Sequence, residues 1–111
     1  MMIDWARVEE LRDEIGADDF GEVVEIFLEE VEEEIAALRA GVGDDALESK
    51  LHFLKGSALN LGFRDFSVLC QAGETAAAAG EYGRIDLPRI IATYEASKGE
   101  FLTALEDETA A

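Results

Sequence analysis

Along most of the chain, apolar residues return at steps of three and four, the spacing that lines one face of an α-helix. Glycine breaks the pattern at Gly16, at Gly41 and Gly43, at Gly62, and at Gly80 and Gly83, leaving five segments of helical character. The first runs from Asp4, a good N-cap residue, to Ile15, with Trp5, Val8, Leu11 and Ile15 on one side. The second starts near Asp18 or Asp19 and ends near Ala40. Its apolar face is Phe20, Val23, Val24, Phe27, Leu28, Val31, Ile35 and Leu38. Its other face is a wall of glutamates, among them Glu25, Glu29, Glu30, Glu32, Glu33 and Glu34, which reads as solvated surface. The third segment runs from Asp44 or Asp45 to Leu61. The fourth runs from Asp65 to Ala79, with Phe66, Leu69, Cys70, Gly73, Ala76 and Ala77 on its inner face. The fifth opens at Asp86-Leu87-Pro88, a cap followed by an early proline, and continues through Leu105. The pattern predicts an all-α domain: an antiparallel up-down four-helix bundle with a short additional N-terminal helix. The whole chain, residues 1–111, reads as a single domain.

Composition narrows the choice of partner. The net charge of −17 repels phosphate backbones and anionic membrane surfaces, which argues against nucleic acid and against a membrane. The same charge has two readings: it steers in a partner with a basic rim, or it only keeps a monomer in solution. No apolar run approaches the ~20 residues of a membrane helix, and the first residues lack the features of a secretory signal. A single cysteine, Cys70, excludes an internal disulfide. These features predict a cytoplasmic protein.

The third segment carries the candidate chemistry. Leu47, Leu51, Leu54, Ala58 and Leu61 form its buried stripe. At about 100° per residue, His52 falls about 140° from the centre of that stripe and points to solvent. Ser49, Lys55 and Gly56 are its neighbours one turn away, and Leu59 and Phe63 continue the outward strip. The strip reads either as a docking patch or as a satellite cluster under a loop. Glycine costs about 1 kcal/mol relative to alanine in a helix interior. Gly56 therefore needs a reason, either a helix packed on it or an outside visitor; its angle, opposite the core, favours the visitor. A neutral imidazole attacks phosphorus without a general base, and phosphoryl transfer asks mainly for positioning and charge compensation. His52 is thus the candidate acceptor, Lys55 the phosphoryl-stabilising charge and Gly56 the clearance for a partner. Ser49, Leu59 and Phe63 are the candidate docking contacts.

The run His52-Phe53-Leu54-Lys55-Gly56-Ser57-Ala58, followed by Asn60-Leu61-Gly62, resembles the histidine-containing phosphotransfer (HPt) domain motif H-x-L-K-G-S-x-x-x-L-G. Phe27-Leu28 with Leu38, and Leu69-Cys70 with Glu74, resemble the family's flanking helices, so the likeness extends from the second helix to the end. The resemblance implies a phosphocarrier without ATP-dependent kinase activity. His52 would be phosphorylated reversibly by exchange with the aspartate of a receiver domain, the partners being response-regulator receiver domains, a hybrid sensor histidine kinase, or both. It implies no cofactor and no metal on this chain, the Mg²⁺ belonging to the receiver. Two departures stand out. Leu51 replaces a usual alanine, and Gly73 replaces a usual leucine, which is expected to loosen packing without touching the site.

Other classes fare worse. A di-metal bundle needs two Glu-x-x-His pairs, and this chain has one histidine with Ser49 three residues before it. A histidine kinase needs a nucleotide-binding domain for which the chain has no room. The alternative that stands is a non-catalytic helical adaptor that docks receiver domains.

Overall fold

All five predicted segments are α-helices: α1 (Trp5–Ile15), α2 (Ala17–Ala40), α3 (Asp44–Leu61), α4 (Arg64–Ala78) and α5 (Leu87–Ala110). The computed structural model describes residues 2–110, with side chains through Glu106; Met1 and Ala111 of the predicted domain lie outside the described residues. Caps set several boundaries. The Asp4 carboxylate accepts from the Arg7 backbone N–H at 3.3 Å, and that of Asp86 accepts from Arg89 at 3.1 Å. A 3₁₀ turn at Tyr82–Arg84 lies between α4 and α5. α2 begins slightly earlier than predicted, at Ala17, with Asp18 and Asp19 in its first turn, where their charge suits the helix dipole.

Short turns join α2 to α3 and α3 to α4, and the contacts across them are those of antiparallel neighbours. Lys50 of α3 reaches back to Glu34 of α2, and Lys55 of α3 reaches Gln71 and Glu74 of α4. α3 and α4 share the most extensive contact of all the helix pairs. Their two-residue turn is held from outside. Gly62 adopts a left-handed φ of 84°, and a Cβ there would lie 2.8 Å from the Asp4 carbonyl oxygen. The Asp4 N–H donates to the Gly62 carbonyl at 2.7 Å, and Arg7 Nε donates to the Asn60 carbonyl at 3.1 Å. α1 and the residues before it thus tie down the end of α3.

The core runs through the bundle. Its stripe on α3 is as predicted: Leu47, Leu51, Leu54, Ala58 and Leu61 are all buried. An aromatic cluster closes one end, with Phe63 against Phe101 at 5.4 Å between centroids, Phe66 against Tyr94 at 5.3 Å, and Trp5 stacked on Phe101 at 5.9 Å. Such pairs each add about 0.5–1.5 kcal/mol beyond the area they bury.

Two expectations are corrected. Phe63 does not continue the outward strip: it is 1% exposed, inside the aromatic cluster. α3 ends at Leu61 and Gly62 reverses the chain, so the helical angle that placed Phe63 beside Leu59 no longer applies. Not all of the α2 glutamates are solvated surface. Glu34 binds Lys50 Nζ at 2.8 Å, and Glu32 accepts from the Tyr94 hydroxyl at 2.8 Å and pairs with Lys98. Gly73 is buried against the Leu51 methyl on the α3 side, and on its other side it borders a cavity lined also by Leu69, Ala72, Ile85 and Ile90, in keeping with the looser packing expected there.

Candidate functional site

The outward strip of α3 begins at Ser49 and continues through His52, Gly56 and Leu59, all exposed. The His52 side chain is 68% exposed. A Cβ built on Gly56 would meet nothing within 4 Å, so no helix packs there. Leu59 is 56% exposed. Phe53, absent from the predicted patch, is exposed as well, at 41%. Its position directly after His52 was visible in the sequence. So was its exposure, since the helical angle turns it about 120° from the centre of the stripe, as far as Leu59.

α4 supplies the other half of the site. Glu74 stands across the seam, and its two carboxylate oxygens serve two partners. One lies 2.6 Å from His52 Nδ1 and the other 2.6 Å from Lys55 Nζ. Gln71, one turn earlier on the same face, accepts a second bond from Lys55 Nζ at 3.0 Å. Lys55 is half-buried by this contact. The sequence placed it beside His52 as a free charge; its ammonium is instead held between two α4 acceptors. Glu74 had entered only through the likeness of α4, with no role, and Gln71 not at all. Their one signal in the sequence is the three-residue spacing that puts both on one face of α4. Which residues of α3 they meet depends on the register between the helices.

The electrostatics follow from these contacts. The hydrogen bond from Lys55 holds the Glu74 carboxyl below its usual range; burial opposes it, and the bond from His52 adds a smaller lowering. An ionised carboxylate can only accept, so His52 Nδ1 is the donor. The neutral ring then carries its proton on Nδ1, which leaves the Nε2 lone pair unprotonated on a largely exposed side chain. Cys70 is buried on α4 four residues before Glu74. Burial, reinforced by the Glu74 charge, pushes its thiol up to about 12, so it stays protonated and unreactive as part of the core.

Among the described residues, no group of three or more His, Cys, Asp or Glu side chains is arranged to hold a metal ion. No helix among them is long and apolar enough to cross a membrane. A model of the Hpt domain family matches residues 22–110, a span from α2 through α5 that includes all of the site. No curated protein and no solved structure matches the chain.

Proposed function

The chain belongs to the Hpt domain family, which carries phosphoryl groups in two-component signalling, and on that premise we propose that His52 is the residue that carries the group. The observation that supports this most is the pairing of an exposed imidazole with a carboxylate at its Nδ1, beside a glycine that leaves open space one turn away. Glu74 orients the ring and fixes the proton on Nδ1, so that Nε2 is the nucleophile.

The Nε2 lone pair of His52 attacks the phosphorus of an aspartyl phosphate on a receiver domain. An N–P bond forms as the acyl O–P bond breaks, and the aspartate carboxylate leaves with the bonding pair. The proton on Nδ1 stays in its bond to Glu74, whose negative charge offsets the charge gained by the ring. Lys55, already within reach of Glu74, supplies a cation toward the phosphoryl oxygens. The receiver brings the Mg²⁺ that neutralises its own phosphoryl oxygens. The reverse step returns the group to a receiver aspartate. Gly56 keeps the approach clear, and Leu59 with Ser49 borders the contact; Phe53 joins them in place of Phe63. The reading describes a cytoplasmic monomer that receives its phosphoryl group from receiver domains, including that of a hybrid sensor kinase, and takes none from ATP.

The test is incubation with a phosphorylated receiver and, separately, with ATP and Mg²⁺ free of kinase. Uptake of acid-labile phosphate from the receiver alone supports the relay. Binding of the receiver without uptake would make the protein a docking adaptor. Labelling by ATP alone would overturn the phosphocarrier reading.

A further inference from the structure

Directly beneath the site, α3 and α4 interlock through one contact. Leu51 precedes His52, and Gly73 precedes Glu74. Leu51 is fully buried. A Cβ on Gly73 would lie 2.9 Å from Leu51 Cδ1, 3.4 Å from Ile90 Cδ1 and 3.7 Å from Ile85 Cγ2. Non-bonded carbons prefer about 3.5–4.0 Å. The leucine methyl therefore occupies the space that any side chain at position 73 would require.

We propose that Leu51 and Gly73 are positioning residues for the phosphoryl transfer: the leucine, seated on a bare glycine, sets how closely α4 approaches α3 and so carries the Glu74 carboxylate onto His52 and Lys55. The proposal rests on the reading of His52 as the phosphoryl acceptor.

The mechanics follow from packing. A methyl added at position 73 would be crowded by Leu51 on α3, with Ile85 and Ile90 at ordinary contact distance on the other side. Leu51 is fully buried, so its methyl yields only by displacing the side chains packed around it. The strain that the leucine does not take up moves α4 away from α3. Restoring an ordinary carbon contact needs roughly 0.6 Å or more. Glu74, the next residue on α4, moves with the backbone. Its 2.6 Å bonds to His52 Nδ1 and Lys55 Nζ then lengthen past the short range of charge-assisted hydrogen bonds. A change with no contact to the phosphoryl group thus reaches the nucleophile through its orienting carboxylate. Gly99 on α5 offers the contrast: a Cβ there meets nothing within 4 Å, so the same substitution perturbs no seam.

The experiment compares Gly73→Ala, Leu51→Val, the pair Leu51→Val/Gly73→Ala, and Gly99→Ala as control. Leu51→Val removes one carbon from the side chain that meets the new methyl, so the pair conserves volume. Two properties are read: the ¹⁵N shifts of the His52 ring, which report the tautomer without any phosphate, and the rate of uptake from a phosphorylated receiver. The wild-type ring holds its proton on Nδ1. Gly73→Ala shifts it toward the Nε2–H form that unconstrained imidazole prefers, and slows uptake by about tenfold. The pair restores both readouts, and Gly99→Ala changes neither. A folded Gly73→Ala with wild-type spectrum and rate overturns the proposal, as does a pair no better than Gly73→Ala. Should Gly73→Ala not fold, the pair alone decides, by whether its ring spectrum is that of the wild type. A wild-type protein that takes up no phosphate defeats the functional reading, while the spectra still test the contact.

Discussion

Two seams of this bundle carry nearly the same hydrogen-bond pattern. On the α3–α4 seam, Glu74 accepts from a lysine and from the ring of His52. On the α2–α5 seam, Glu32 accepts from the hydroxyl of Tyr94 and pairs with Lys98. In both, the lysine's hydrogen bond holds the carboxyl below its usual range. The difference lies in the ring. Tyr94 is fully buried, and burial together with the bond to Glu32 pushes its hydroxyl well above the ordinary tyrosine range. It stays protonated and serves as a clamp between helices. The His52 side chain is 68% exposed beside a helical glycine with open space above it. The same carboxylate-lysine-ring arrangement is structural where the ring is enclosed, and available for chemistry where a second molecule can reach it.

Substitutions can break this comparison at graded strengths. The largest effect is expected from His52→Ala, which removes the nucleophile from an exposed position. Phosphate uptake should vanish while the melting temperature stays near that of the wild type. Uptake at an undiminished rate would assign the acceptor elsewhere. Gly56→Gln comes next. It puts a side chain one turn from His52, and a misplacement of about 1 Å can cost ~100-fold in rate. The helix itself gains up to about 1 kcal/mol, because most residues outdo glycine in a helix interior. Transfer should fall while thermal stability holds or rises, and a loss of stability instead would mean that Gly56 is a packing position.

The two acids then separate the seams. Glu74→Ala should slow transfer on the order of tenfold by releasing the ring and Lys55. Glu32→Ala should leave the rate alone and lower the melting temperature. Equal effects on rate would erase the distinction between the seams. Tyr94→Phe tests the clamp alone. It removes one hydrogen bond, worth about 1 kcal/mol, without touching transfer. Calorimetry together with a transfer assay on the same sample checks both halves.

The smallest effect is in acid. Both carboxyls titrate below their ordinary value of 4.5 in the folded protein. Groups with depressed folded pKa values contribute stability that is fully present above the unfolded pKa and is lost as pH falls through the folded one. The contribution of each seam should therefore be intact at neutral pH and decline below about pH 4.5. Relief of the general acidic repulsion acts in the opposite sense, so the measurable quantity is a difference between proteins. Glu32→Gln should narrow its stability gap from wild type as the pH is lowered through that range. A gap that stays constant would show that Glu32 adds nothing through its charge.

Most of the helical architecture was legible before any coordinates. The three-and-four spacing, the glycine breaks and the capping aspartates at Asp4 and Asp86 are local signals, and apart from the C-terminal end of α5 each helix boundary falls within two residues of its expected place. So was the outward strip of α3. Once Leu47, Leu51, Leu54, Ala58 and Leu61 are taken as the buried stripe, helical geometry alone turns His52 and Gly56 to solvent. That reasoning failed at Phe63, because it was carried one residue beyond the glycine that ends the helix. It failed again along α2, where acidic residues look alike. Glu33 is exposed, whereas Glu32 and Glu34 find cations on α5 and α3.

What the sequence determined by itself was therefore everything that depends on one helix at a time: where each helix runs, which of its faces is apolar, and that a lone histidine stands outward beside a glycine. What only the tertiary structure decided was everything that depends on two. Glu74 meets His52 and Lys55, Glu32 meets Tyr94 and Lys98, and Leu51 fills the space above Gly73 because of the register and distance between helices. The physical reason is that a helix's hydrogen bonds and periodicity close within four residues of the same segment. Register between helices is set instead by the simultaneous packing of the whole core, in which side chains far apart in sequence must share one close-packed volume.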